Sequence, residues 1–176
     1  NPVNGEENLM RDDLRVSGIV PNTSPYTDSL IVPSSMLNTS GPDAIVDWVW
    51  LEFREAANKA NVVASRSALL QRDGDIIDVD GNQNLKLDLT IGDYFLAIKH
   101  RNHLGIVSAS TYSLTASTTT VNLSIDTSSI TGGANAVVLL NNGRYAMIAG
   151  GWQPRGLEKP DQSPYMRRYD PIQIPV

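Results

Sequence analysis

The chain has two histidines, His100 and His103, three residues apart in "YFLAIKHRNHLGIVSAS" (residues 94–110). Imidazole is the side chain best suited to hold a transition metal or move a proton near neutral pH, so this pair is where chemistry is sought first. A zinc site wants four ligands, and the sequence supplies no third histidine and no cysteine. On a regular strand, positions three apart point to opposite faces, so the two rings would meet only across a bulge. Nor does a Ser or Asp sit at a spacing that makes a nucleophile–base pair. The pair is therefore expected to be structural, closing a strand and anchoring the adjoining loop, with Gly105 as the bend.

Carboxylates offer the second candidate. "RDGDIIDVDGN" carries Asp73, Asp75, Asp78 and Asp80, and calcium loops also combine Asp, Asn and Gly, because a hard cation wants oxygen ligands around a sharp turn. The register is not that of the helix–loop–helix calcium site, and the closing Glu is missing. Asp-Gly at 73–74 and again at 80–81 equally marks hairpin turns, which is the preferred reading. Calcium is the one cofactor this composition admits, and none is expected. Glu6, Glu7, Asp12 and Asp13 form acidic pairs, but in open polar sequence where nothing would raise a pKa for glycosidase work. Trp48 and Trp50 share one strand face, either as a sugar-stacking platform or, more commonly, as packing. Asn22, Asn38 and Asn122 head Asn-x-Ser/Thr triplets, and "DSL" at 28–30 matches a short acidic O-glycosylation motif. No phosphate loop, nucleophile elbow or dinucleotide fingerprint is present.

The elements that carry these residues read as strands. In "AIVDWVWLEFREA", from Ala44, Val49, Leu51 and Phe53 alternate with Trp48, Trp50, Glu52 and Arg54, although "LEFREAANKA" also contains good helix formers. "VVASRSALLQ", "IIDVDG", "LKLDLT", "IGDYFLAIKHR", "IVSASTYSLTAS" and "TTTVNLSI" follow as further strands separated by turns. That spacing describes an all-β protein, an Ig-like or transthyretin-like β-sandwich. Val49, Leu51, Phe53, Leu85, Leu87, Tyr94, Leu96 and Ile98 are expected in one core. Residues 1–43 read as an extended N-terminal arm, 44–127 as the sandwich, and 128–176 as a Gly/Pro-rich segment that packs on the core or on a neighbour.

Composition narrows the role. The chain of 176 residues has a net charge of −5, which disfavours a nucleic-acid partner. No apolar run approaches the ~20 residues of a spanning helix. Abundant Ser, Thr, Asn and Gly suit an extracellular β protein. The chain opens on Asn1 and is expected to be a mature product from which a targeting segment has been removed.

Four blocks, "NLMRDDLRVSGIVPNTSPYTDS", "DAIVDWVWLEFREA", "VVASRSALLQRDGDIIDVDG" and "YFLAIKHRNHLGIVSA", together resemble a module of large secreted Bacteroidota proteins described as adhesin- or haemagglutinin-like. The resemblance is dense from residue 8 to about 110 and continues thinly to 172. It implies an extracellular β domain without known catalysis. In that family the C-terminal part resembles a dockerin-style calcium segment. Here Gly150, Gly156, Asp170, Pro171 and Ile172 match it, while Gly151 and Arg155 stand at its acidic positions.

The combined expectation is a non-catalytic structural or adhesive protein at the cell surface, whose partners are copies of itself, with surface glycans or other cells as further partners. Its assembly residues are expected at the ends: Asn1, Pro2 and Val3, and the alternating Ile172, Ile174 and Val176, acting as exchanged strands in a filament. The alternative is a carbohydrate- or calcium-binding accessory module of a secreted protein.

Overall fold

The computed structural model describes residues 9–150. The assembly residues Asn1, Pro2, Val3, Ile172, Ile174 and Val176, together with Glu6, Glu7, Gly151, Arg155, Gly156, Asp170 and Pro171, lie outside the described residues.

The fold is all-β, built on one antiparallel sheet. Its strands are β1 (Ile45–Glu55), β2 (Val62–Gln71), β3 (Ile76–Ile77), β4 (Gly92–His100), β5 (His103–Val107) and β6 (Tyr112–Leu114), in the order β3-β2-β1-β4-β5, with β6 also paired to β4. A small hairpin, β7 (Val137–Leu139) and β8 (Tyr145–Met147), stands beside it. Among the described residues the α-helical content is one turn, α1 (Asp13–Val16). "LEFREA" is strand, not helix. β-branched and aromatic side chains every second residue bury both faces of β1, and that burial outweighs the helix propensity of its last residues.

Alternation along β1 divides the sheet into two faces. On one, Val49, Leu51 and Phe53 pack with Ala68, Leu96, Ile98 and Tyr94, covered by Leu85, Leu87 and Leu89. All eight residues expected in one core lie in this cluster. On the other, Trp48, Leu69 and Ile77 pack against Val20 and Val32 of the N-terminal arm. Each such side chain contributes about 1.5–3 kcal/mol on leaving water. A register shift between Ile45 and Asp47 inserts one residue into β1. Side-chain period is two, so one extra residue reverses facing: Ile45 joins Trp48, while Asp47 falls on the face of Val49.

The described part of the arm packs on its own sheet, with Val20 and Val32 buried against Trp48. The reason is polar as much as apolar. Trp48 Nε1 donates to Pro21 O at 2.8 Å, and the Ser67 N–H and hydroxyl both donate to the Asp28 carboxylate at 2.6 Å.

Two expectations are corrected. "IVSASTYSLTAS" is two short strands, β5 and β6, with Ser108 between them bonded to Leu96. "LKLDLT" and "TTTVNLSI" lie in no strand ladder, a point taken up below.

Candidate functional site

Among the described residues the carboxylates of Asp47, Asp78 and Glu52 are buried, and that of Asp47 is the most enclosed of the three, at 2 % exposure. It sits among the apolar residues Ile45, Val46, Trp48 and Val49 of β1, and an unpaired charge there would be prohibitively costly. Three groups answer it. Trp48 N–H donates to Oδ1 at 2.8 Å. Arg101 grips the carboxylate through Nη2 at 2.9 Å to both oxygens and through Nε at 3.2 Å. His100 donates from Nε2 to Oδ2 at 3.1 Å. Burial by itself would raise this carboxyl's pKa. The hydrogen bond from His100, the Trp48 N–H and the Arg101 charge more than reverse that, holding it below the usual aspartate value.

His100 passes the chain of bonds onward. Its Nδ1 accepts from Asn102 N–H at 3.2 Å, so that nitrogen carries no proton. His103 Nδ1 lies 2.8 Å from the same atom and must therefore donate to it. The result is a directed row, His103 to His100 to Asp47, ending on a half-buried imidazole. Burial first, and the neighbouring His100 second, push the His103 pKa below the ordinary histidine value, with Asp47 opposing.

This juxtaposition corrects the expectation that the two rings point apart. The continuous strand assumed from the sequence is broken: β4 ends at His100, Arg101 and Asn102 form the turn, and β5 begins at His103, so His100 and His103 are direct cross-strand partners. Gly105 lies beside the register shift that follows Ile98, where a Cβ would meet Lys99 Cγ at 3.1 Å and Ile98 O at 3.3 Å. Close approach, not only a bend, requires glycine there. The cluster's chemistry is that of a latch, because the Asp47 oxygens are taken by donors of the fold itself. Among the described residues, no three His, Asp or Glu side chains are grouped to hold a metal ion.

The other candidates are dispersed. Asp78 is buried and accepts from Arg66 at 2.6 Å and 3.0 Å and from the Val79 and Lys86 N–H groups. Burial would raise its pKa, but those donors lower it overall. Asp80 pairs with Lys86 at the surface, which lowers its pKa to about 2. Asp73 and Asp75 lie exposed in a turn closed by Gly74 at φ +102°. Asp12 pairs with Arg15 at 2.5 Å, and Asp13 with Arg11. Trp48 is fully buried and Trp50 tilts against Tyr26 at 5.5 Å, so these two rings pack the arm rather than form an open platform.

Sequence reasoning missed a groove of about 1820 Å³ along the sheet face that carries Leu51 and Phe53. Its outer wall consists of two strand-patterned segments. In residues 85–90, Leu85, Leu87 and Leu89 are half-buried while Lys86, Asp88 and Thr90 are exposed. In residues 118–123, Thr119, Val121 and Leu123 turn inward while Thr118, Thr120 and Asn122 are exposed. Both have the two-residue period of a strand, yet among the described residues neither has a ladder partner. The main chain of Lys86 is held instead by side chains, its N–H by Asp78 and its carbonyl by Arg66. The signal was present in the alternation of "LKLDLT", but it was read as a completed strand.

Searches against protein-family models, curated proteins and solved structures find no match to this chain. No helix among the described residues is long and apolar enough to cross a membrane.

Proposed function

We propose that the chain is a non-catalytic structural or adhesive module of a secreted Bacteroidota-type surface protein, and that its copies join by strand exchange into a homopolymer. One observation carries the reading: an apolar sheet face is walled by segments that have the side-chain pattern of strands but no strand beside them. Main-chain N–H and C=O groups in that condition are a template for an incoming strand. The groove is larger than the ~300–1,000 Å³ typical of small-molecule sites, and Leu51, Phe53, Leu85, Leu87 and Leu89 give part of it an aliphatic and aromatic lining. The histidine–aspartate cluster supports the same reading, since its carboxylate is spent on holding β1 to the β4–β5 turn.

The test is sedimentation velocity of the intact chain over a wide concentration range, with negative-stain electron microscopy of the same samples. Concentration-dependent polymers with a regular repeat are expected. A single monomeric species at the highest concentration would remove the reading.

A further inference from the structure

Resting on that strand-exchange reading, we infer that the groove takes residues 171–176, "PIQIPV", of a second copy of this chain, paired along the 85–89 segment. The 85–89 segment fixes which edge is open. Lys86 directs its N–H to Asp78 and its carbonyl to Arg66. In an extended chain, alternate residues turn their main-chain groups to opposite sides. Leu85, Leu87 and Leu89 therefore present theirs on the other side, while their side chains face the sheet.

The C-terminal sequence has the complementary pattern. Ile172, Ile174 and Val176 occupy alternate positions, and Pro171 and Pro175 occupy the intervening parity. A strand of this sequence keeps its N–H donors at 172, 174 and 176 along one edge and loses two of three along the other. Proline confines a strand to one-sided pairing, and a groove with one anchored wall asks for no more. The same parity places the three aliphatic side chains on one face. Leu85, Leu87 and Leu89 can then lie opposite Ile172, Ile174 and Val176, three positions against three.

Charge agrees. Arg167 and Arg168 precede the donor segment. Asp73 and Asp75, both exposed, line the groove where β2 turns toward β3, and neither has an ion-pair partner among the described residues. The strand-exchange reading on which this inference rests assigns the contact to a second copy, and the double variant described below separates that from the chain's own end. A contact of this kind is head-to-tail and does not close on itself.

The chain has no cysteine, so introduced thiols report one contact. Full-length Leu87→Cys and full-length Ile174→Cys are mixed, oxidised and run on a non-reducing gel, with Gln173→Cys, facing outward, in place of Ile174→Cys as the control. A covalent dimer in the first mixture, at least tenfold above the control, is expected. Polymers that sediment normally but give no such dimer overturn this inference and leave the strand-exchange reading standing. Monomers without cross-link defeat both. A cross-link found only within the Leu87→Cys/Ile174→Cys double variant, as a monomer, assigns the groove to the chain's own end and also overturns the inference. Ile172→Asp/Ile174→Asp, which leaves the described residues untouched, is expected to disperse the polymer with unchanged tryptophan fluorescence. Polymer retained by this variant would again refute the assignment.

Discussion

Replacing Asp47 by Asn keeps the shape of the side chain and removes its charge. Three donor groups converge on the carboxylate: Trp48 N–H, the Arg101 guanidinium and His100 Nε2. An amide has one acceptor oxygen, so its NH₂ must face at least one of these donors. Hydrogen bonds to charged groups are worth about 1.5–3 kcal/mol each, and two are lost. Arg101 keeps about a third of its side-chain surface, 32 %, and turns partly to water, which places the expected loss near the lower limit, about 3 kcal/mol. Breaking one side of a buried pair costs about 3–5 kcal/mol, in agreement. For a chain of this length that lowers Tm by about 6–12 °C, at 2–4 °C per kcal/mol. Urea unfolding followed by tryptophan fluorescence at pH 7.5 reads the change, with an unaltered m-value required for the comparison. Arg101→Leu and the double variant complete a cycle, whose coupling is expected above about 1 kcal/mol because both residues serve one network. The folded-state pKa of Asp47 is depressed, so its contribution is full above the unfolded aspartate value and fades as pH falls through the folded one. The aspartate-dependent stability of the parent, absent from the variant, is therefore lost only in acid, below about pH 4. An Asp47→Asn protein within about 0.5 kcal/mol of the parent would mean that the enclosed carboxylate does not hold the turn.

His103 titrates in a different window. Its folded pKa is lowered, so stability is full above about pH 6.5 and falls as acid protonates the unfolded chain preferentially; His103→Gln is expected to flatten the urea midpoint between pH 7.5 and 5. Trp48→Ala removes the largest fully buried side chain and the bond to Pro21 O; a loss of about 3–5 kcal/mol is expected, together with faster proteolysis within residues 20–37. Asp78→Ala strands Arg66 and two N–H groups, which should cost about 3 kcal/mol and speed amide exchange at Lys86. Gly105→Ala forces a methyl against Lys99 Cγ and Ile98 O, with an expected cost of about 1–3 kcal/mol in thermal or urea unfolding.

The residues that alternate cleanly were readable. Burial on a sheet repeats every second position, and Val49, Leu51, Phe53, Leu96 and Ile98 are placed by that rule alone. The histidine cluster was not readable, because its turn, Arg101–Asn102, carries only the weak turn signal of a single Asn, with neither Gly nor Pro beside it. Without that turn the two rings fall on opposite faces; with it they are partners. A signal for Asp47 did exist. A lone carboxylate inside "AIVDWVW" must either reach water or find donors, and His100 and Arg101 are donors at the end of the strand that pairs with it. The packing of the N-terminal arm was not readable for a related reason. Its prolines suggested loop, and nothing local shows that Trp48 will reach Pro21 O or that Asp28 will cap Ser67.

The two faces of the sheet are finished in different ways, and the difference has physical consequences. The Trp48 face is sealed by its own arm through aliphatic contacts and by hydrogen bonds to particular main-chain atoms, so opening it breaks both at once. On the Val49 face, Leu85, Leu87 and Leu89 cover the sheet with side chains alone, apart from the hold on Lys86. Segments with few ladder bonds open at low free energy, well below global unfolding. The wall at 85–90 is therefore held by fewer main-chain bonds than the arm, although its leucines share a core with β1. Pairing its free N–H and C=O groups would then bring that wall to the same standard of satisfaction as the rest of the sheet. A fold that places its rigidity on one face and its open main-chain groups on the other is suited to gaining order from contact with another chain.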